Sequence, residues 1–103
     1  MSFPLLVLYS RKGCCLCEGL EQKLINISLN KLNPPLQLCL IDIDSGEVSE
    51  SEKIRYHFEV PVMVLSSIEN EQKIELPRVS PRLSKEGLLK WFQKNIPQSF
   101  LTN

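Results

Sequence analysis

The sequence predicts an α/β fold: a four-stranded mixed sheet with helices on both faces, in the order βαβαββα. Three observations predict it. Short apolar runs at residues 5–9, 36–43 and 62–65 have the length and composition of strands. Segments between and after them bring apolar residues back every three or four positions, as one face of a helix does. A βαβ start that closes with a hairpin and a helix requires parallel and antiparallel pairing in one sheet.

Each element has a local reason. Leu5-Leu6-Val7-Leu8-Tyr9 is apolar and partly β-branched, as a buried strand is. A helix follows from Cys14, with Leu16, Leu20, Leu24 and Ile27 on one face, and Asn30-Lys31-Leu32-Asn33-Pro34-Pro35 cannot continue it. Residues 36–43 then point Leu36, Leu38 and Leu40 one way and Cys39, Ile41 and Ile43 the other. Apolar residues on both faces predict an interior strand of parallel type. Asp42-Ile43-Asp44-Ser45-Gly46 turns the chain, and Ser49 with Glu52 has the form of a capping box. The short helix it opens runs to about Phe58, with Ile54 and Phe58 on one face. The third strand starts directly after Pro61. Residues 66–71 form a turn and 72–76 alternate like an edge strand. Ser84 can cap a last helix bearing Leu88, Leu89, Phe92 and Ile96, stopped at Pro97. A chain of 103 residues is expected to be one domain, 1–103.

Twelve basic and twelve acidic side chains cancel. That balance supplies no electrostatic reason for nucleic acid or an anionic membrane as partner. No segment reaches transmembrane length. Arg11 and Lys12 interrupt the N-terminal apolar stretch, so nothing there reads as a secretory signal and a cytoplasmic location is expected. In a reducing compartment, a C-x-x-C pair serves catalysis or metal binding rather than stapling the fold.

Cys14-Cys15-Leu16-Cys17 lies where the first strand becomes a helix. Cys14 at the helix N-terminus meets unpaired backbone N–H groups and the positive end of the macrodipole, which favour thiolate over thiol. Cys17, one turn on, can close a ring with it. The chemistry indicated is reversible thiol–disulfide exchange. A Cys14–Cys15 bridge is disfavoured, because adjacent Cα atoms lie about 3.8 Å apart, below the usual ~4.4 Å minimum. Cys15 is weighed evenly as bystander or accessory thiol. Cys39 reads as a buried structural thiol, and His57 as a solvent-facing or packed side chain. Structural zinc usually takes four ligands from two spaced pairs. No second pair exists and no bound metal or cofactor is expected, although three closely spaced thiols do permit a metal or iron–sulfur site. Trp91 reads as core or surface of the last helix, and Arg78 and Arg82 as a solvated face, with the binding of an anionic substrate tail as the alternative.

Three stretches together resemble a known family: Leu8-Tyr9-Ser10-Arg11-Lys12-Gly13-Cys14-Cys15-Leu16-Cys17, then Ile41-Asp42-Ile43-Asp44, then Tyr56-His57-Phe58-Glu59-Val60-Pro61-Val62. In type and spacing the chain is similar to the small glutaredoxin-like proteins of bacteria and plastids, within the thioredoxin-like fold. The resemblance implies Cys14 as attacking thiol, Cys17 as resolving thiol, and Pro61 as a cis-proline packed against the disulfide. It also implies that the Val60 backbone pairs with an incoming peptide or glutathione like an added strand. Arg11 falls where many glutaredoxins keep a lysine that helps hold the glutathione carboxylate.

The chain also departs from that pattern. Cys15-Leu16 stands where dithiol glutaredoxins have Pro-Tyr, Glu59 where threonine is common, and Pro77-Arg78-Val79-Ser80-Pro81 where a Gly-Gly and an acid are usual. The function implied is a thiol–disulfide oxidoreductase, acting as a monomer on protein disulfides or glutathione mixed disulfides, with glutathione as candidate co-substrate. The alternatives are a metal or iron–sulfur carrier using the cysteine cluster, and a non-catalytic peptide-binding module on the same fold.

Overall fold

The chain forms β1 (Leu5–Ser10), α1 (Cys15–Asn26), a 3-10 turn (Leu29–Lys31), β2 (Gln37–Asp42), α2 (Glu50–Tyr56), β3 (Val62–Ser67), β4 (Gln72–Glu75) and α3 (Lys85–Asn95). This computed structural model describes residues 4–27, 29–32, 35–67, 72–80 and 82–96. The sheet order is β2-β1-β3-β4. β1 runs parallel to β2, while β3 is antiparallel to both β1 and β4. The mixed four-stranded sheet expected from the element order is the one observed, and it is consistent with the thioredoxin-like fold that the resemblance implies.

Side chains alternate across a strand, so a run that is apolar at every position must be covered on both faces. β1 and β3 meet that condition at the centre of the sheet. Leu6 and Leu8 of β1, with Met63 and Leu65 of β3, pack against Leu20 and Leu24 of α1 and Leu88 and Phe92 of α3. The intervening Val7, Tyr9, Val62 and Val64 form a second, smaller layer with Tyr56 of α2. The Tyr9 and Tyr56 rings lie 4.7 Å apart there. Helices therefore cover both faces: α1 and α3 on one, α2 on the other.

Several expectations are corrected. β2, read as an interior strand, is an outer one that pairs, among the described residues, only with β1. Leu40 is 44% exposed and Cys39 half-buried rather than buried. Apolar composition on both faces reports cover from above and below, and carries no information about a neighbour at the strand's side. α2 ends at Tyr56, two residues early. The face shared by Ile54 and Phe58 looks outward, at 74% and 90% exposure, because Tyr56 fills the contact with the sheet. On α1, Leu16 is exposed and Cys17 takes the buried place.

The helix caps form as the sequence suggests. Ser49 Oγ accepts from Glu52 N at 3.3 Å, and Ser84 Oγ accepts from Gly87 N at 3.0 Å. Glu52 departs from a full capping box, since its carboxylate accepts from the Ser49 hydroxyl at 3.0 Å. β3 extends through Ser67, further than predicted. The rest of the predicted 66–71 turn, together with Pro34 and Pro97, lies outside the described residues.

Candidate functional site

β1 delivers the chain to a tight turn whose pivot is Gly13, at φ +82°. Only a residue without Cβ takes that conformation freely. The turn is closed by Cys14 N donating to Arg11 O at 3.4 Å, and it sets Cys14 at the N-cap of α1. The sulfur fills the role that a Ser or Asp oxygen usually fills. Cys14 Sγ accepts from Cys17 N at 3.1 Å, so a helix-terminal backbone donor points at it. The geometry favours negative charge on this sulfur.

Cys14 and Cys17 form a disulfide, with Cα atoms 5.2 Å apart, inside the usual bridging range. The two are not equally accessible: Cys14 is half-buried, whereas Cys17 is 1% exposed. Cys15 is a free, exposed thiol. Cys39 is also free, and sits opposite Val7 in the layer on the α2 side.

The Val60–Pro61 bond is cis and opens β3. Val60 N donates to Tyr56 O at 3.2 Å, and Glu59 N donates to the same carbonyl at 3.0 Å. One half of a strand-like pairing at residue 60 is thus engaged within the chain. Pro61 lines a groove of about 500 Å³ together with Cys15 and Leu16 of α1 and the segment running from Pro77 to Ser80.

Arg11, half-buried, makes the densest polar cluster near the loop that precedes α1. Its Nε donates to Asp44 Oδ2 at 3.0 Å and its Nη2 to Asp44 Oδ1 at 2.9 Å. Nη1 donates to the His57 carbonyl at 3.2 Å, and Nη2 lies 3.1 Å from His57 Nδ1. Hydrogen bonding to Arg11 holds the Asp44 carboxyl below the usual carboxylate range, against some desolvation, and Lys53 and His57 add charge in the same direction. The same pairing raises Arg11 further. A substrate carboxylate reaching this guanidinium would compete with Asp44. Next to the cluster, Tyr9 Oη donates to Glu52 Oε2 at 2.9 Å. Burial first, then this hydrogen bond, pushes the Tyr9 phenol well above its ordinary value.

Asp44 is the Arg11 partner that sequence reasoning missed. A signal for it existed in the pairing: parallel register sets Asp42 beside Ser10, which brings the residues just beyond each strand together. Among the described residues, no group of three or more His, Cys, Asp or Glu side chains is arranged to hold a metal ion. No described helix is long and apolar enough to cross a membrane.

With this geometry in view, comparison with known proteins decides the family. The model of the Glutaredoxin-like domain (DUF836) matches residues 5–93. The chain belongs to that family. The glutaredoxin-like match encloses both the Cys14–Cys17 pair and the cis bond at Pro61, and this family together with the disulfide fits a thiol-redox role. No curated protein matches the sequence significantly. Among solved structures, one titled "Structure of a malarial protein" superposes with a TM-score of 0.59 at 16% identity, covering 93% of this chain and 100% of its own. A second, the structural genomics target XcR50 from X. campestris, gives 0.48 at 20% identity, covering 86% and 96%. At such identities the first supports the glutaredoxin-like chain's fold and nothing more specific.

Proposed function

We propose that this chain is a thiol–disulfide oxidoreductase in which Cys14 attacks and Cys17 resolves. The observation that carries the reading is the Cys14–Cys17 disulfide itself, set at a helix N-terminus with one sulfur half-buried and the other enclosed. In the reduced enzyme the Cys14 thiolate attacks one sulfur of a substrate disulfide, forming a mixed disulfide and expelling the first substrate thiolate. Cys17, giving up its proton, then attacks Cys14 Sγ and expels the second. Two electrons pass from the dithiol to the substrate, which leaves the 14–17 disulfide to be reduced by an external thiol.

Substrates in this reading are protein disulfides or glutathione mixed disulfides, with glutathione as co-substrate. The protein acts as a cytoplasmic monomer with no resident cofactor, independently of nucleic acid or membrane. The Val60 backbone and the Pro61 ring border the incoming chain, Arg11 is the cation for a substrate carboxylate, and Cys15 serves as an accessory thiol.

Turnover of a glutathionylated peptide and of a protein disulfide tests the reading. Cys14→Ser abolishes both, while Cys17→Ser retains the single-thiol reaction and accumulates the mixed disulfide. Full activity in Cys14→Ser overturns the assignment. A coloured iron–sulfur chromophore in the freshly purified protein would favour the carrier alternative, and peptide binding without turnover the non-catalytic one.

A further inference from the structure

We infer that the groove beside the exchange site selects peptide disulfides with a bulky apolar residue next to the reacting cysteine, in preference to glutathione mixed disulfides. This rests on the exchange reading above and names its substrate class. The first observation is Leu16. It lies between the two exchanging cysteines, is 53% exposed, and forms the wall of the groove at its α1 side. An apolar side chain of that size at the surface gains by being covered.

The second observation is the floor. Leu20, Met63, Leu76 and Leu88 are core residues whose remaining surface turns into the groove, and Leu83 continues it towards α3. A space of about 500 Å³ falls in the range that encloses a small ligand or a few side chains.

The third observation is charge. The groove is lined by Lys23 and Arg78 on the basic side and Glu59 and Glu75 on the acidic side, so its ionic lining is balanced. Glu75 is tied to Arg55 at 3.0 Å. Of the two cations in the loop before α1, Arg11 already gives its fork to Asp44, and Lys12 does not line the groove. Glutathione carries a carboxylate at each end and has no large apolar side chain. It would meet a groove with no excess of cations to hold two carboxylates, and it would leave the floor uncovered. An extended peptide with a leucine-sized neighbour to its cysteine covers Leu16 and the floor without needing a cation.

The test compares wild-type turnover of peptide disulfides that differ only in Leu or Asp beside the reacting cysteine, and of the same peptide glutathionylated. Covering a leucine side chain is worth roughly tenfold or more. The Leu-flanked disulfide should exceed both others by at least that factor in kcat/KM, entering through KM. Leu16→Ser, and independently Leu83→Ser, should shrink the Leu-to-Asp ratio to threefold or less, with circular dichroism confirming the fold. Calorimetric binding of non-reactive peptides, with Ser in place of Cys, should keep the same order. A flat ratio, or a preference for the glutathionylated peptide, overturns this inference and leaves exchange intact. No turnover of any disulfide with the binding order preserved overturns the exchange reading and leaves the groove's preference standing. Self-association that displaces the peptide would assign the groove to a second copy and overturn the inference.

Discussion

Tyr9→Phe removes a single hydrogen bond and leaves the ring packing against Tyr56 in place. Tyr9 is buried in the layer on the α2 side, and its hydroxyl donates at 2.9 Å to the Glu52 carboxylate. Hydrogen bonds to charged groups contribute about 1.5–3 kcal/mol, against about 1 kcal/mol for neutral ones. Glu52 is only half-buried and keeps the Ser49 hydroxyl at 3.0 Å, so water and Ser49 recover part of what it loses. The net cost should be about 1 kcal/mol. Unfolding entropy near 60 °C is about 2.1 cal/mol/K per residue, which makes 1 kcal/mol worth about 5 °C in a chain of this length.

The same contact makes a second, pH-dependent difference. An unfolded tyrosine titrates near pH 10. In the folded protein burial, the hydrogen bond to Glu52 and the charge of Glu52 all hold the proton on Tyr9. A phenol with a raised folded value stabilises the fold fully below about pH 10, and that contribution is lost as pH rises toward the folded value. Tyr56, raised chiefly by burial, acts in the same direction. Thermal unfolding followed by circular dichroism from pH 7 to pH 11 should therefore show wild type losing stability above pH 10. Tyr9→Phe should start about 5 °C lower and lose less over that range, with Tyr56 accounting for the residual slope. Equal stability at pH 7, or parallel losses above pH 10, would refute the argument.

In the reduced protein at neutral pH, iodoacetamide should modify Cys14 well before Cys17, as read by peptide mass spectrometry, because Cys17 is enclosed. Faster labelling at Cys15 would move the nucleophile by one residue. Cys39→Ala should cost no more than about 1 kcal/mol at its half-buried position and leave exchange kinetics unchanged, by urea denaturation and turnover. Gly13→Ala should lower stability by roughly 1–2 kcal/mol from the left-handed backbone alone, since no heavy atom lies near the added Cβ. Asp44 titrates below its unfolded value, so its contribution is whole above about pH 4 and fades as pH falls through the lower folded value. Asp44→Asn should remove that part of the acid sensitivity in urea midpoints measured from pH 5 to pH 2.

β1 and β3 could be read from sequence because local composition decides their fate. Leu6, Val7, Leu8 and Tyr9 need cover on both faces, and the helices on either side of the sheet provide it. The same rule misreads β2, whose pattern is nearly as apolar. What separates the cases is the pairing partner, a property of the whole sheet. α2 fails for a related reason: Ile54 and Phe58 have helical spacing, but a seven-residue helix buries what its docking angle presents, here Tyr56. The Cys14–Cys17 pair was legible because its signal is local, with both thiols and the helix start inside one turn. The groove was not, since its walls come from α1, the entry to β3 and the segment beyond β4.

Arg11 joins the two levels. The family resemblance implies a cation here, and a cation alone would be served equally by lysine. The structure uses more than the charge. Nε and Nη2 meet both oxygens of Asp44 in parallel while Nη1 reaches the His57 carbonyl. One planar group thereby ties the exchange loop after β1 to the turn after β2 and to the end of α2. An ammonium is a compact point charge without that fork and cannot hold the two oxygens and the carbonyl in one plane. The end of α2 leads within four residues to the cis bond at Pro61, and the loop after β1 leads within three to Cys14. The two halves of the proposed exchange site come from distant parts of the chain, and this guanidinium joins the segments that lead to them.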